Sequence, residues 1–189
     1  MTDLNGKKIA IIATDHFEEA ELLTPRDELA KAGAEVKVYS SSTDRIQAVE
    51  GDTNPTQKVD VDGTFGDLDV STVDAVVVPG GTINSDTIRL DEDAQSIVRQ
   101  ANEADKVLAV ICHGPWLLIN AGLAEGRRLT SYESVALDLK NAGANWVDEE
   151  VVVDGNLITS RKPDDLDAFG AAIVEQFAAA EETDDADAG

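Results

Sequence analysis

The stretch Val107-Leu108-Ala109-Val110-Ile111-Cys112-His113-Gly114-Pro115 decides the fold. Its first five residues form a continuous apolar run, which predicts a strand buried on both faces, the kind found in parallel sheets. The apolar segment 116–121 follows at once and predicts a helix that has Pro115 near its first turn and Gly122 at its end. The sequence therefore predicts a tight strand-to-helix turn with Cys112 at the end of the strand.

Further strands and helices alternate on both sides of this turn. A strand, a helix and a strand follow one another within residues 8–39, which predicts a βαβ unit. Residues 150–159 predict a hairpin with an Asp154-Gly155 turn. We therefore expect an α/β fold, a three-layer sandwich around a mainly parallel central sheet with a small β-hairpin. The remaining predicted elements are strands at 56–61 and 73–78 and helices at 18–32, 91–105, 134–142 and 165–180.

The length and charge of the chain limit its organisation and its partners. Its 189 residues suit one domain, predicted at 1–180, followed by an acidic disordered tail at 181–189. Lys and Arg number 15 against 38 Asp and Glu, so the formal net charge is −23. This charge argues against a nucleic-acid partner and against an anionic membrane surface. It favours a high-salt cytoplasm, where salt screens the self-repulsion, over a merely soluble surface.

The other broad features indicate a cytoplasmic protein without a cofactor. We find no basic segment followed by an apolar segment at Met1 and therefore expect no signal peptide. A single cysteine excludes an internal disulfide and a multi-cysteine zinc site. The two histidines argue against a histidine-rich metal site, so we predict neither a metal nor a cofactor.

Cys112 is the strongest candidate for chemistry. A helix N-terminus directly after it would offer unpaired N–H groups and a positive dipole end, and both favour thiolate over thiol. The carboxyl ends of parallel strands are also where open α/β sheets bind ligands. The alternative is an inert buried cysteine, which is the commonest fate of a lone thiol.

Glu18 is the candidate acid, because it lies just past the first predicted strand. A protonated carboxyl there could donate a hydrogen bond to the thiolate, whereas an ionised one would raise the pKa of the thiol. Glu18 could equally be part of an acidic first helical turn, the role that we predict for Glu19 and Glu21. The sequence alone leaves these three possibilities open.

Paired glycines and two histidines complete the set of candidate site residues. Gly80 and Gly81 follow a predicted strand, so their N–H groups could join the N–H after Cys112 in an oxyanion hole, or they could form a plain turn. His113 adjoins the nucleophile, and we expect its side chain to diverge from the immediate direction of the sulfur, although it could return if its acid partner came from another subunit. His16 lies on the loop after the first strand and is expected to be exposed.

Several separate motifs in order make the chain resemble the ThiJ/PfpI (DJ-one) superfamily, most closely the PfpI-type intracellular cysteine proteases and deglycases. The resemblance spans about residues 7 to 177. Its motifs are Ala109 to Pro115, Phe17 to Leu22, Val78 to Gly81, Thr130 to Tyr132, Asn141 to Asp148 and Val151 to Leu157.

The resemblance implies a flavodoxin-like fold, also seen in class I glutamine amidotransferases, and a set of site residues. It implies that Cys112 is the nucleophile, that Glu18 hydrogen-bonds it and that the N–H groups of Gly81 and His113 receive the oxyanion. In PfpI-type proteins a glutamate from a neighbouring subunit orients the histidine; Asp86 stands at that position here and is one methylene shorter. A homodimer or hexamer with the site near a subunit interface is also implied. The remaining oxyanion or substrate-binding residues are Gly80, Gly114 and Tyr132.

Three functions remain open. The first is a cysteine hydrolase that acts on peptides, on glycated adducts or on small dicarbonyls. The second is a redox-sensing or stress-protective protein that uses the same oxidisable cysteine. The third is a binding or chaperone-like module that keeps only the fold. No histidine follows His113, so the glutamine-amidotransferase arrangement, with its downstream histidine, is absent.

Overall fold

A computed structural model describes residues 3–187, with side chains described through residue 179. The strands are β1 (Lys8–Ile12), β2 (Phe17–Glu18), β3 (Glu35–Ser40), β4 (Ile46–Glu50), β5 (Asn54–Val59), β6 (Gly63–Thr64), β7 (Ala75–Val78), β8 (Val107–Ile111), β9 (Arg128–Leu129), β10 (Asn145–Trp146), β11 (Val151–Asp154) and β12 (Leu157–Ser160). The helices are α1 (Glu19–Lys31), α2 (Thr82–Ile88), α3 (Glu92–Glu103), α4 (Pro115–Asn120), α5 (Ala136–Asn141) and α6 (Leu166–Asp187).

The central sheet has the strand order β11-β12-β8-β7-β1-β3-β6. Its neighbouring strands are parallel except β11 and β12, which form the predicted hairpin. Strands β2, β4 and β5 form a separate small sheet, and β9 pairs with β10. The predicted three-layer α/β fold with a mainly parallel sheet is therefore confirmed.

Strands β7 and β8 are apolar at every position because both faces of the sheet are covered. Along β7 and β8, alternate side chains enter two separate cores. One core receives Leu22 and Leu29 of α1 together with Phe169 and Ile173 of α6. The other core receives apolar side chains of α3, α4 and α5. Fully buried strands of this kind produce the continuous apolar runs of the sequence.

The topology places the segments that matter for chemistry at one edge. Strands β1, β7 and β8 are neighbours and run parallel, so their carboxyl ends lie side by side. The loop after β1 leads to Glu18, Gly80 follows β7, and Cys112 follows β8. The site therefore lies at the edge where open parallel sheets bind ligands.

Several predicted boundaries differ from the structure. The hairpin pairs Asp154 with Leu157, so its loop residues are Gly155 and Asn156, not Asp154 and Gly155. Gly155 has φ of 61°, which this first loop position requires. Helix α6 extends to Asp187 and thus into the predicted tail; residues 188 and 189 lie outside the described residues, and a domain limit at residue 180 stays a prediction.

Within residues 3–187, no helix has both the length and the apolar character needed to cross a membrane.

Candidate active site

Cys112 occupies a strained turn between β8 and α4. Its φ of 65° is in the left-handed region, which is uncommon for a residue other than glycine and is often found at functional sites. Its N–H donates to the carbonyl of Ser160 (3.1 Å), and its carbonyl accepts from the N–H of Tyr132 (2.9 Å). A Cβ on Gly114 would lie 2.9 Å from the carbonyl oxygen of Ile111, so the turn requires glycine there. The predicted elbow is present, and neighbouring segments hold it.

The carboxyl that contacts the Cys112 sulfur belongs to Glu21. Glu21 is fully buried, and its Oε2 accepts the N–H of Gly80 at 2.7 Å. The carboxyl also contacts the sulfur. Its other oxygen, Oε1, has no further hydrogen-bonding partner among the described residues. Glu21 does lie in the acidic first turn of α1, as predicted, but its carboxyl is buried against the sulfur, a role that the sequence analysis did not give it. A signal was available in the sequence, because Glu21, Pro25 and Leu29 recur at four-residue spacing on the face of α1 that enters the core.

The structure corrects the expected contact between Glu18 and the sulfur. The two carboxylate oxygens of Glu18 accept the N–H groups of Gly51 and Asp52, each at 3.0 Å. Residue 18 precedes the first turn of α1 and turns toward the β4–β5 loop, whereas residue 21 turns inward. Glu18 thus fixes the loop that borders the site, and Glu21 lies in the place predicted for Glu18.

Two backbone N–H groups converge on the sulfur, those of Gly81 and His113. Gly81 has φ of 86°, and a Cβ there would lie 2.6 Å from the carbonyl oxygen of His16. A Cβ on Gly80 would lie 2.6 Å from the Cβ of Cys112, so the glycine pair lets the backbone come close to the sulfur. The arrangement can receive negative charge on the sulfur or on an oxygen bound near it.

His113 turns back toward the sulfur instead of diverging from it. Its Nδ1 lies 3.2 Å from Sγ of Cys112. The left-handed backbone of Cys112, which the sequence analysis did not foresee, goes with this arrangement. The imidazole stacks on the Tyr132 ring at a centroid distance of 4.8 Å, and it lies beside Trp116. Tyr132, a predicted binding residue, therefore forms a wall of the site.

The partners of His113 Nε2 come from segments that the sequence did not single out. Ser134 Oγ lies 3.2 Å from Nε2, and Thr82 Oγ1 lies 3.3 Å from it. The exposed side chain of Asp86 on α2 is not among the contacts of this ring. A role for Asp86 across a subunit interface stays a prediction.

Burial sets the protonation of the acid and the histidine. It raises the pKa of Glu21 from 4.5 to about 8, although the hydrogen bonds from Cys112 and Gly80 oppose this shift. Glu21 is therefore neutral at neutral pH and has a proton to donate. Burial lowers the pKa of His113, and the charge of Asp52 opposes that shift.

The Cys112 thiol is subject to opposing effects. Burial raises its pKa, since the residue is only 6% exposed, and an ionised Glu21 would raise the pKa further. The N–H groups of Gly81 and His113 lower it. Because Glu21 keeps its proton up to about pH 8, its repulsion is absent at neutral pH and its O–H can stabilise a thiolate instead.

Fold and site together define an α/β protein with a cysteine at a nucleophile elbow. A sequence model of the DJ-1/PfpI family matches residues 7–176, so the chain belongs to that family. Deglycase TK1284 of Thermococcus kodakarensis is 43% identical over 168 residues, which cover 89% of this chain and 98% of that protein. Protein/nucleic acid deglycase 2 of Escherichia coli is 39% identical over 166 residues, covering 87% and 94% respectively.

A solved structure shows the same fold. The two-domain protein from Anabaena variabilis with DJ-1/ThiJ/PfpI-like and ferritin-like domains matches with a TM-score of 0.85 and 37% identity. The match covers 91% of this chain and 48% of that one, so this chain spans about half of the two-domain protein. The resemblance to the ThiJ/PfpI superfamily is thereby confirmed.

Proposed function

We propose that the protein is a cysteine-dependent hydrolase of the PfpI type that removes dicarbonyl adducts from glycated thiols and amines. One observation carries the proposal: the sulfur of Cys112 meets a neutral carboxyl, a histidine nitrogen and two converging N–H groups. Relatives named as deglycases, at 43% and 39% identity, favour glycated adducts over plain peptides as the substrate.

In the proposed reaction, the adduct R–X–CH(OH)–CO–CH₃, where X is S or NH, first releases the thiol or amine R–XH, which takes the hydroxyl proton, and the Cys112 thiolate then adds to the aldehyde carbon of the dicarbonyl that remains. A C–S bond forms, and the electron pair of the C=O bond moves onto the oxygen. The N–H groups of Gly81 and His113 stabilise the resulting oxyanion. Glu21 and the His113 Nδ1 lie against the sulfur, where they can give and take the protons that addition and release require. A proton then moves from the carbon that bears the sulfur to the neighbouring carbonyl carbon through an enediol, which gives a lactoyl thioester without an external oxidant. Water hydrolyses this thioester to lactate and the free cysteine.

The substrate test uses model adducts of N-acetylcysteine and N-acetyllysine with methylglyoxal. We expect the wild type to release free thiol or amine together with lactate, and Cys112→Ala to release neither above the background. Methylglyoxal alone and a fluorogenic peptide form parallel arms, which separate a dicarbonyl-converting enzyme and a peptidase from a deglycase. Equal rates for the wild type and Cys112→Ala on every substrate would contradict a cysteine hydrolase.

A redox role is the second candidate, and the same N–H pair favours it. An oxygen added to the sulfur on oxidation would meet those N–H groups and the Glu21 carboxyl. Cys112 is the sole cysteine, so any disulfide would join two chains. Intact mass after mild peroxide treatment should show a gain of one or two oxygens that is absent in Cys112→Ala. An unoxidised Cys112 would contradict the redox role.

A further inference from the structure

Both ring nitrogens of His113 have partners within one chain. Nδ1 faces the sulfur of Cys112 at 3.2 Å. Nε2 lies 3.2 Å from the hydroxyl of Ser134, in the turn before α5, and 3.3 Å from the hydroxyl of Thr82, the first residue of α2. Two elements far apart in sequence therefore converge on the nitrogen that points away from the nucleophile.

These hydroxyls can act as the third member of a triad. In a nucleophile–histidine–acid triad, the third group holds the imidazole in one orientation and one tautomer. A hydroxyl can accept from a protonated Nε2 or donate to a bare one. The pair can thus keep Nδ1 directed at the sulfur while the ring gains and loses a proton.

We propose that Thr82 and Ser134 are positioning residues that hold His113 against Cys112, so that the histidine is oriented by its own chain. The inference rests on the proposed function for its kinetic test only. It differs from the expectation that Asp86 of a neighbouring subunit orients the ring.

Thr82 is the more firmly held of the two residues. Its N–H donates to Oδ1 of Asp52 at 2.8 Å. Asp52 itself has φ of 65°, and its own N–H is bound by the carboxylate of Glu18. The β4–β5 loop therefore fixes the start of α2, and with it the Thr82 hydroxyl. Ser134 is exposed, so water can replace part of its contribution.

The kinetic test uses substitutions that remove a hydroxyl and little else. Thr82→Val keeps the shape and the backbone bond to Asp52, and Ser134→Ala removes the second hydroxyl. We expect each to lower kcat/KM by about three- to tenfold, mainly through kcat, and the double variant to lose more. Thr82→Ser should restore the rate. Thr87→Val, on the exposed side of α2, should match the wild type.

The second readout does not depend on activity. The chain has two histidines, so ¹⁵N-histidine labelling gives two imidazole spin systems, which His16→Gln assigns. We expect Thr82→Val and Ser134→Ala each to move the Nε2 resonance of His113 and to leave His16 unchanged. Movement of this resonance supports the positioning role even if the wild type hydrolyses none of the substrates, which separates this inference from the proposed function.

Three results would overturn the inference. The first is an Nε2 resonance of His113 that is the same in the double variant as in the wild type. The second is a moved resonance with unchanged kcat in an active enzyme. The third is a shift of that resonance on Asp86→Asn as large as the shift on Thr82→Val.

Discussion

Glu21 reaches the sulfur of Cys112 from the first turn of α1, and this carboxyl is fully buried. A carboxyl in that setting keeps its proton, since burial raises its pKa to about 8. The pair therefore combines an acid that is neutral at neutral pH with a thiol that two N–H groups help to ionise. Sharing of one proton between sulfur and carboxyl is the central feature of the proposed chemistry.

The buried acid should make stability depend on pH. Glu21 binds its proton more tightly when folded than when unfolded, so its contribution is complete below pH 4.5 and is lost as the pH rises toward 8. Glu21→Gln removes this loss and keeps an acceptor for the Gly80 N–H. We expect the free energy of unfolding of the variant, relative to that of the wild type, to increase by about 3 kcal/mol between pH 4.5 and pH 7, as measured by urea unfolding. A stability difference that stays constant with pH would contradict a neutral Glu21.

Glu18 should influence the loop and leave the thiol titration unchanged. In Glu18→Gln one carboxylate oxygen becomes an NH₂ group, which cannot accept the N–H of Gly51 or Asp52. The remaining oxygen still accepts one N–H, so we expect faster hydrogen exchange at the one amide that faces the NH₂ group and a stability loss of about 1 kcal/mol. Glu50→Gln, an exposed neighbour, is the control. If Glu18→Gln moved the Cys112 titration as far as a Glu21 substitution does, the corrected assignment would fail.

Salt should stabilise the protein. At a net charge of −23, repulsion between carboxylates opposes folding, and exposed ion pairs such as Arg45–Asp60 offset little of it. We expect the thermal midpoint to rise as KCl increases to about 2 M, because the Debye length falls to a few ångströms. The rise should shrink near pH 4.5, where many carboxylates are protonated. A midpoint that falls with KCl at pH 7 would count against the high-salt interpretation.

The fold could be predicted from sequence because burial on both faces of the sheet leaves a local pattern. The apolar runs of β1, β7 and β8 each carry that pattern within a few residues. The hairpin turn was misplaced by one residue, since Asp154-Gly155 and Gly155-Asn156 are both acceptable turn pairs and strand pairing decides between them.

The site was harder to predict because its contacts are not local. Cys112 could be found from the strand-to-helix break alone. Choosing between Glu18 and Glu21 required the rotation of α1 about its axis, which depends on where the helix begins. Ser134 and Thr82 reach His113 only through the tertiary fold.

The pH dependence of Cys112 alkylation tests the central claim most directly. The chain has one cysteine, so intact mass after iodoacetamide reports this site alone. We expect Glu21→Gln, whose amide can still donate to the sulfur, to react with a titration midpoint close to that of the wild type. Glu21→Leu, which has no donor, should require a higher pH. A midpoint that falls in Glu21→Gln relative to the wild type would mean that Glu21 is ionised beside the sulfur and would contradict the account.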